Sequence, residues 1–227
     1  MFFKSTPSSS VRFYPAPKLE TGRRAALVAD DHPAIRMAVR SVLSRLEIIG
    51  QIIEAGDGHD ALDKAKKYQP ALIILDLNLS GVDGLNLIRH FSASNMHAKY
   101  LVYSGLDEHI YATRAKKAGA NGFISKACGL EMIESVSRSI LNGIDCFPVG
   151  LHHDDEKPQQ NAMQLLSNRE LTILSYLIKG MPNKDIAAKL FIDAKTVSTY
   201  KNRILKKTKT KNIVDLIYLY QDNNKKF

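Results

Sequence analysis

The chain has 227 residues, of which 44% are hydrophobic and 24% charged, a composition that fits a folded protein with two modest domains. It has no apolar run of about eighteen residues, which argues against a membrane-spanning helix. Its two cysteines, Cys128 and Cys146, make no disulfide or metal-ligand spacing, so we expect a cytoplasmic protein with no membrane partner.

The positive charge is unevenly distributed. Residues 163–227 contain thirteen Lys and Arg against five Asp and Glu, an excess of eight, whereas the net charge of the whole chain is +9. A short domain of this sign predicts contacts with the phosphates of nucleic acid. A solvated basic face is the alternative that charge alone leaves open.

Residues 1–24 are rich in Ser, Pro and Arg, show no apolar period and predict a disordered extension. Their composition is similar to that of an organelle transit peptide, and a start codon assigned too far upstream is an equal alternative.

Residues 25–145 alternate short β-branched runs with amphipathic stretches. We predict strands at 25–29, 49–54, 71–75, 99–103 and 122–124, and helices at 33–46, 58–68, 84–92, 108–117 and 130–142. Strands that alternate with helices predict an α/β domain with a five-stranded, doubly wound parallel sheet.

Residues 146–162 predict a linker, because 151–160 combine two His, three acids, a Pro and paired Gln without an apolar period. Residues 163–227 predict a small all-α domain of four helices. Ser167 and Glu170 form a capping box for the first helix, which ends at Gly180. The next three helices are predicted to begin at the N-cap residues Asn183, Asp193 and Asn212. They are predicted to end near residues 190, 207 and 220.

Four polar features fall at the carboxyl edge of the predicted sheet, where loops converge and ligands bind. They are Asp30 with Asp31, Asp76, Ser104 and Lys126. Three neighbouring carboxylates repel one another unless a cation neutralises them, and oxygen ligands suit Mg²⁺. The Asp76 carboxylate can then attack a phosphoryl group while Lys126 and Ser104 stabilise its charge, which gives an acyl phosphate.

This order of residues and their spacing resemble the receiver domain of two-component response regulators. The resemblance implies that Asp76 is the phosphoacceptor, that Asp31, Asp76 and the backbone carbonyl of Asn78 bind Mg²⁺ directly, and that Asp30 binds it through water. It also gives Ser104 and Lys126 the phosphate-sensing positions. Phe123 falls on the family's aromatic switch, with a core aromatic as the alternative.

Two further residues, Ser80 and His32, lie near these residues in the sequence. Ser80 stands where the family usually has Pro, which loosens a turn but removes no reactive group. His32 is interpreted as a surface or indirect residue rather than a ligand, because Mg²⁺ prefers oxygen.

Residues 181–207 predict a helix-turn-helix, in which the second helix buries Val197, Ile204 and Leu205 and exposes a polar, basic face. Short side chains on that face can reach base edges, and we predict Ser198, Thr199 and Asn202 for this role. Predicted phosphate contacts are Lys184, Lys195, Thr196, Lys201, Arg203 and Lys206. Lys201 lies near the apolar stripe, so packing of its stem is the alternative.

The runs Leu-Ser-Asn-Arg-Glu (166–170), Asn-Lys-Asp-Ile-Ala (183–187) and Thr-Val-Ser-Thr-Tyr-Lys (196–201) resemble the LuxR-type helix-turn-helix of NarL/FixJ regulators, in particular the BvgA/EvgA branch. The resemblance implies a transcriptional regulator that receives phosphate from a sensor histidine kinase, binds paired half-sites of double-stranded DNA as a homodimer and contacts RNA polymerase. The dimer contact would use the last helix through Ile213, Leu216, Ile217 and Tyr220, with ordinary core packing as the alternative.

The same residues allow three other functions, which the sequence disfavours. A phosphatase with an aspartyl-phosphate intermediate needs a second acid, but the residue two after Asp76 is Asn78, so we expect no enzyme beyond slow Mg²⁺-dependent self-dephosphorylation. A phosphorylation-independent docking module and a small-molecule-sensing LuxR relative are disfavoured by the complete acidic set. Whether phosphorylation drives dimerisation or frees the recognition helix stays open.

Overall fold

A computed structural model describes residues 22–94, 96–148 and 162–225. Its N-terminal domain contains a five-stranded parallel sheet in the order β2-β1-β3-β4-β5. The strands are β1 (Arg24–Ala29), β2 (Ile49–Ala55), β3 (Leu72–Leu75), β4 (Lys99–Ser104) and β5 (Gly122–Ser125). The helices between and after them are α1 (Pro33–Leu43), α2 (Gly58–Tyr68), α3 (Gly84–Ala93), α4 (Glu108–Ala118) and α5 (Glu131–Leu141). The predicted parallel α/β architecture is confirmed.

Helices cover both faces of the sheet, and its central strand, β3, is apolar throughout. All four residues of β3 are buried, as expected for a parallel strand between two helical layers. One core lies under α1 and α5, and the other lies under α2, α3 and α4. The second core continues into the C-terminal domain, so the two domains share one apolar cluster.

Helix α1 is shorter than its apolar pattern suggested. It ends at Leu43, with a turn through Ser44 and Arg45, although the prediction continued to Leu46. Leu46 is fully buried, but it reaches the core from this turn. The helical spacing of Leu46 therefore did not mean that α1 continued to this residue.

Two predicted boundaries of the α/β domain are also corrected. Strand β1 begins at Arg24, inside the predicted extension, whose residues 1–21 lie outside the described part of the chain. After α5 the backbone returns beside β5, where Phe123 N donates to Cys146 O and Cys146 N donates to Asn121 O. The predicted linker from residue 146 therefore starts too early, and its central segment, 151–160, also lies outside the described residues.

The C-terminal domain is helical, with a short 3-10 turn at Ala162–Leu165. Its helices are α6 (Asn168–Ile178), α7 (Asn183–Leu190), α8 (Ala194–Thr208) and α9 (Ile213–Lys225). The capping box of α6 is confirmed, since Ser167 Oγ accepts from Glu170 N while Glu170 Oε2 accepts from Ser167 N. Helix α9 runs five residues beyond the predicted end near 220.

Of the other three predicted N-caps, two occupy the N-cap position and one does not. Asn212 Oδ1 accepts from Asp215 N, as a cap of α9 should, and Asp193 occupies the N-cap position of α8 without a side-chain cap bond. Asn183 is not a cap, because Pro182 holds that position at α7. The Asn183 amide instead donates to Ser198 Oγ at 3.1 Å and joins α7 to α8.

Candidate phosphoryl-acceptor site and nucleic-acid interface

The predicted polar residues meet at the carboxyl ends of the strands. Asp30 follows β1, Asp76 follows β3, Ser104 ends β4 and Lys126 follows β5. Backbone bonds tie adjacent strand ends together, since Asp76 N donates to Ala29 O and Lys126 N donates to Ser104 O. Asp30 is 3% exposed, Asp76 4% and Ser104 0%, so the site is a buried pocket at the sheet edge.

Lys126 is the cation at the centre of this pocket. Its Nζ lies 2.6 Å from Asp30 Oδ2 and 2.7 Å from Asp76 Oδ2. The other oxygen of Asp76, Oδ1, accepts from the Ser104 hydroxyl at 2.8 Å and from Asn78 N at 3.2 Å. Both oxygens of the Asp76 carboxylate are therefore held in fixed positions by charged or polar donors.

The charges in the pocket do not balance. Burial raises the pKa of Asp30 above its ordinary value, although hydrogen bonds from Lys126 and the His32 backbone partly offset it, and the Asp76 charge raises it further. Burial lowers the pKa of Lys126, but the two carboxylates more than offset this and hold the lysine protonated. One lysine thus faces two buried carboxylates, and Asp31 adds a third beside them.

The oxygen donors at this edge suit a hard divalent cation. Asp30, Asp31 and His32 present ligand atoms that all lie within 4.8 Å of one another. His32 Nδ1 lies 2.6 Å from Asp31 Oδ1, and the His32 side chain is 65% exposed. The His32 ring nitrogen therefore pairs with a carboxylate. Because Mg²⁺ prefers oxygen ligands, the carboxylates and not His32 are the candidate ligands.

The loop after Asp76 is fixed by backbone packing. Gly84, the first residue of α3, lies so close to this loop that an added Cβ would be 2.6 Å from Leu77 Cα and 2.9 Å from Asp76 O. Ser80, which stands where the family has Pro, accepts a bond from Gly58 N and ties the loop to α2. Phe123 is buried in β5 at 4% exposure, as an inward-turned ring.

The predicted recognition helix, α8, presents its polar face to solvent. Thr199, Asn202, Lys195, Arg203 and Lys206 are exposed, as is Lys184 on α7, whereas Thr196, Lys201 and Ser198 are half-buried. The Ser198 hydroxyl is already used within the protein, since it accepts from Asn183 and donates to Ala194 O. The inward stripe is as predicted for Val197 and Ile204, which are fully buried, and Leu205 is half-buried.

Helix α9 places two predicted dimer residues elsewhere. Leu216 is fully buried in the core of its own domain, and the Tyr220 hydroxyl donates to Asp107 Oδ2 of the receiver-like domain at 2.6 Å. These two side chains are therefore already engaged within one chain. Ile213 and Ile217 are half-buried, and the exposed apolar side chains of α9 are Val214 and Tyr218, which the sequence prediction did not include.

The two domains also meet in a polar contact surface that the sequence did not predict. Arg114 of α4 donates to Asn168 Oδ1 and Leu166 O, both at 2.8 Å. The Tyr111 and Thr172 hydroxyls lie 3.4 Å apart, and Asn78 Nδ2 donates to the Tyr176 hydroxyl at 3.3 Å. Helix α6 thereby docks on the α3–α4 side beside the pocket that contains Asp76. No periodic signal in the sequence marks such scattered residues.

Tyr176 is the residue of this surface nearest to the pocket chemistry. Burial raises the pKa of its phenol, and the Asp76 and Asp31 charges raise it further. Tyr176 is therefore a neutral phenol that lies within reach of the field of both carboxylates.

Comparison with known protein families gives two matches in the expected order. Residues 26–137 match the response regulator receiver domain, and residues 164–220 match the bacterial regulatory proteins of the luxR family. Among the described residues, no helix is both long and apolar enough to cross a membrane.

Similar proteins cover nearly the full chain. The virulence-factor transcription regulator BvgA of Bordetella pertussis is 36% identical over 87% of this chain and 97% of its own. The DNA-binding transcriptional activator EvgA of Escherichia coli is 32% identical over 88% and 98%. Solved structures of RcsB from Salmonella typhimurium share the fold, and one that covers 88% of this chain and 98% of RcsB has a TM-score of 0.62 at 21% identity.

The fold and the pocket are those of a receiver domain joined to a DNA-binding domain. The chain belongs to the NarL/FixJ family of response regulators, with an N-terminal receiver and a C-terminal LuxR-type helix-turn-helix.

Proposed function

We propose that this response regulator is switched by phosphorylation of Asp76 from a sensor histidine kinase and then binds promoter half-sites as a homodimer. The observation that carries the proposal is the Asp76 carboxylate, buried and held by Lys126 on one oxygen and by Ser104 on the other. In this arrangement the Asp76 carboxylate lies beside a cation that can stabilise the charge of a transferred phosphoryl group.

The reaction is a displacement at phosphorus. An Asp76 carboxylate oxygen attacks the phosphorus of the kinase phosphohistidine, and a P–O bond forms as the P–N bond breaks, with its electron pair returning to the imidazole. Lys126 then pairs with the new phosphoryl group, and Ser104 turns its hydroxyl from Asp76 Oδ1 to a phosphoryl oxygen. The resemblance gives Phe123 the role of aromatic switch, and because its ring is already buried in this structure, we expect it to stay inward when Ser104 turns to the phosphoryl group.

The donor set fits Mg²⁺, since Asp30, Asp31 and Asp76 supply more negative charge than Lys126 neutralises. Asp31, Asp76 and the Asn78 carbonyl would bind the ion directly, and Asp30 through water. When bound, Mg²⁺ neutralises phosphoryl oxygens during the transfer. Asp30 meanwhile keeps Lys126 in place through the 2.6 Å ion pair, so its role in this chain is also to position the lysine.

The accessibility of α8 bears on how phosphorylation acts. Thr199 and Asn202, two of the three predicted base-reading residues, are exposed while α6 is docked on the receiver, so docking leaves them uncovered. This favours a switch that works through dimerisation and domain arrangement over one that uncovers the recognition helix. Cytoplasmic location, and contact of the bound dimer with RNA polymerase, belong to the same proposal.

The test follows phosphate, dimer and DNA on the same samples. Purified protein is incubated with acetyl phosphate and Mg²⁺, and phosphate-affinity gels are compared for the wild type, Asp76→Ala and the exposed control Asp63→Asn. We expect a base-labile phosphate in the wild type and in Asp63→Asn, complete loss in Asp76→Ala, and tighter binding of promoter DNA wherever phosphate is present. DNA binding without any phosphate would instead indicate a docking or ligand-sensing receiver.

A further inference from the structure

The DNA-binding domain places a phenol at the mouth of the phosphoacceptor pocket. Tyr176 on α6 accepts a hydrogen bond from the side chain of Asn78, two residues after Asp76. The backbone of the same Asn78 donates to Asp76 Oδ1. One residue of the receiver loop thus connects the phosphoacceptor carboxylate to the hydroxyl of a residue 100 positions further along the chain.

We propose that Tyr176 is a positioning residue for phosphoryl transfer, through which the docked DNA-binding domain slows phosphorylation of Asp76. This inference rests on the proposed role of Asp76 as phosphoacceptor. Because Asp76 is 4% exposed, a phosphodonor reaches it in line only after groups at the pocket mouth move. Asn78 is held at that mouth by Tyr176, and the Tyr176 ring is packed against the apolar cluster shared by both domains.

The contacts that hold α6 in place lie away from the reacting atoms. Arg114 fixes the start of α6 through Asn168 and Leu166, and Tyr111 contacts Thr172 one turn before Tyr176. Docking can therefore be loosened by a substitution that changes no residue of the pocket. If the same contact also destabilises the phosphorylated state at equilibrium, linkage requires the phosphoryl group to weaken docking of α6 by the same factor.

The experiment measures the initial rate of Asp76 phosphorylation in the full chain with acetyl phosphate and Mg²⁺. The Asp76 oxygen attacks phosphorus, and acetate leaves with the electron pair of the broken P–O bond. Tyr176→Phe removes only the hydroxyl and keeps the ring packing. Tyr218→Phe is the matched control, since this tyrosine of the same domain is 68% exposed. Arg114→Ala loosens docking without altering the pocket.

We expect Tyr176→Phe to raise the initial rate by about fivefold, the factor that one net hydrogen bond contributes. Tyr218→Phe should match the wild type. Arg114→Ala should also raise the rate, and adding Tyr176→Phe to it should give little more, because both changes release the same cover. A purely structural role of Tyr176 within α6 would leave the receiver reaction rate unchanged.

The outcomes separate this inference from the proposed function. If the wild type and Tyr176→Phe are phosphorylated at equal rates, or if the effects of Tyr176→Phe and Arg114→Ala multiply fully, Tyr176 is not a positioning residue, although Asp76 remains the phosphoacceptor. If no variant that retains Asp76 acquires phosphate, the proposed function itself fails. Unchanged thermal melting and unphosphorylated DNA binding of Tyr176→Phe check that the variant is folded.

Discussion

The two functional regions of this response regulator are built in opposite ways. In the receiver pocket, Asp30, Asp76 and Ser104 are buried, come from three strand ends, and share hydrogen bonds with one another or with Lys126. On α8, Asn202 and Lys206 are exposed and lie on one helix, with no hydrogen bond to another described side chain. Shared partners make the pocket residues act as a unit, whereas separate solvent contacts make the helix residues act individually.

The largest effect is expected at Lys126. Lys126→Met leaves Asp30 and Asp76 facing each other without their cation and removes the group that stabilises the transferred phosphoryl charge. We expect the rate of phosphorylation by acetyl phosphate to fall by about a hundredfold or more. Since Ser104 holds the other oxygen of the same carboxylate, Lys126→Met with Ser104→Ala should lose less than the product of the single effects. Fully multiplicative losses would mean that the pocket residues act independently.

A smaller effect, of a different kind, is expected on α8. Asn202→Ala should weaken binding to the specific promoter site by about 2 kcal/mol, roughly thirtyfold, and leave binding to random DNA nearly unchanged. Lys206→Ala should weaken both and lower the slope of log affinity against log salt by about one. Lys179→Ala, an exposed lysine at the end of α6, is the charge-matched control. Equal losses on both DNAs for Asn202→Ala would contradict its role in base reading.

The smallest effect concerns an ion pair between the buried Glu170 carboxylate of α6 and the exposed Lys207 ammonium of α8. Glu170 Oε2 accepts from Ser167 N and from Lys207 Nζ, both at 2.7 Å. Burial raises the pKa of Glu170, but these bonds more than offset it and hold the pKa below its ordinary value of 4.5. Glu170→Gln should therefore destabilise α6 and α8 by about 1 to 2 kcal/mol at neutral pH.

The sign of the pH dependence follows from the lowered pKa. The stabilisation by Glu170 is fully present above the unfolded pKa of 4.5 and is lost as the pH falls through the folded pKa, so wild type and Glu170→Gln should converge in acid. Hydrogen exchange of α6 and α8 amides measures the difference. Glu134→Gln breaks an exposed ion pair with Arg138 in α5. It should change the opening free energy measured by exchange of the α5 amides by less than about 0.5 kcal/mol. An effect of Glu134→Gln as large as that of Glu170→Gln would mean that burial of the Glu170 carboxylate does not strengthen its ion pair.

The difference between the two regions also explains what the sequence could predict. The pocket was predictable because each residue lies at a strand end, and parallel strands bring their carboxyl ends to one edge. The helix-turn-helix was predictable from helical spacing, since α8 buries Val197 and Ile204 and exposes Asn202. In both cases a periodic backbone determines where the side chain lies.

Residues outside such periodicity were not predictable. Asn183 has the composition signal of a cap, but Pro182 takes that position, and the amide binds Ser198 instead. Leu216 and Tyr220 carry the apolar pattern of a free face, yet one fills the core and the other reaches Asp107. The contact surface of Arg114, Tyr111 and Tyr176 depends on how the two domains pack against each other. A local sequence pattern in one domain does not indicate which residues of the other domain it contacts.

Gly84 has a consequence for how a natural variant of this protein would be interpreted. The residue has no side chain and takes no part in any reaction, yet a single methyl group there would lie 2.6 Å from Leu77 Cα and 2.9 Å from Asp76 O. A glycine-to-alanine change looks conservative on paper. Here it would push the backbone that carries Asp76, so a change of one codon would distort the pocket while every polar residue of the pocket kept its identity.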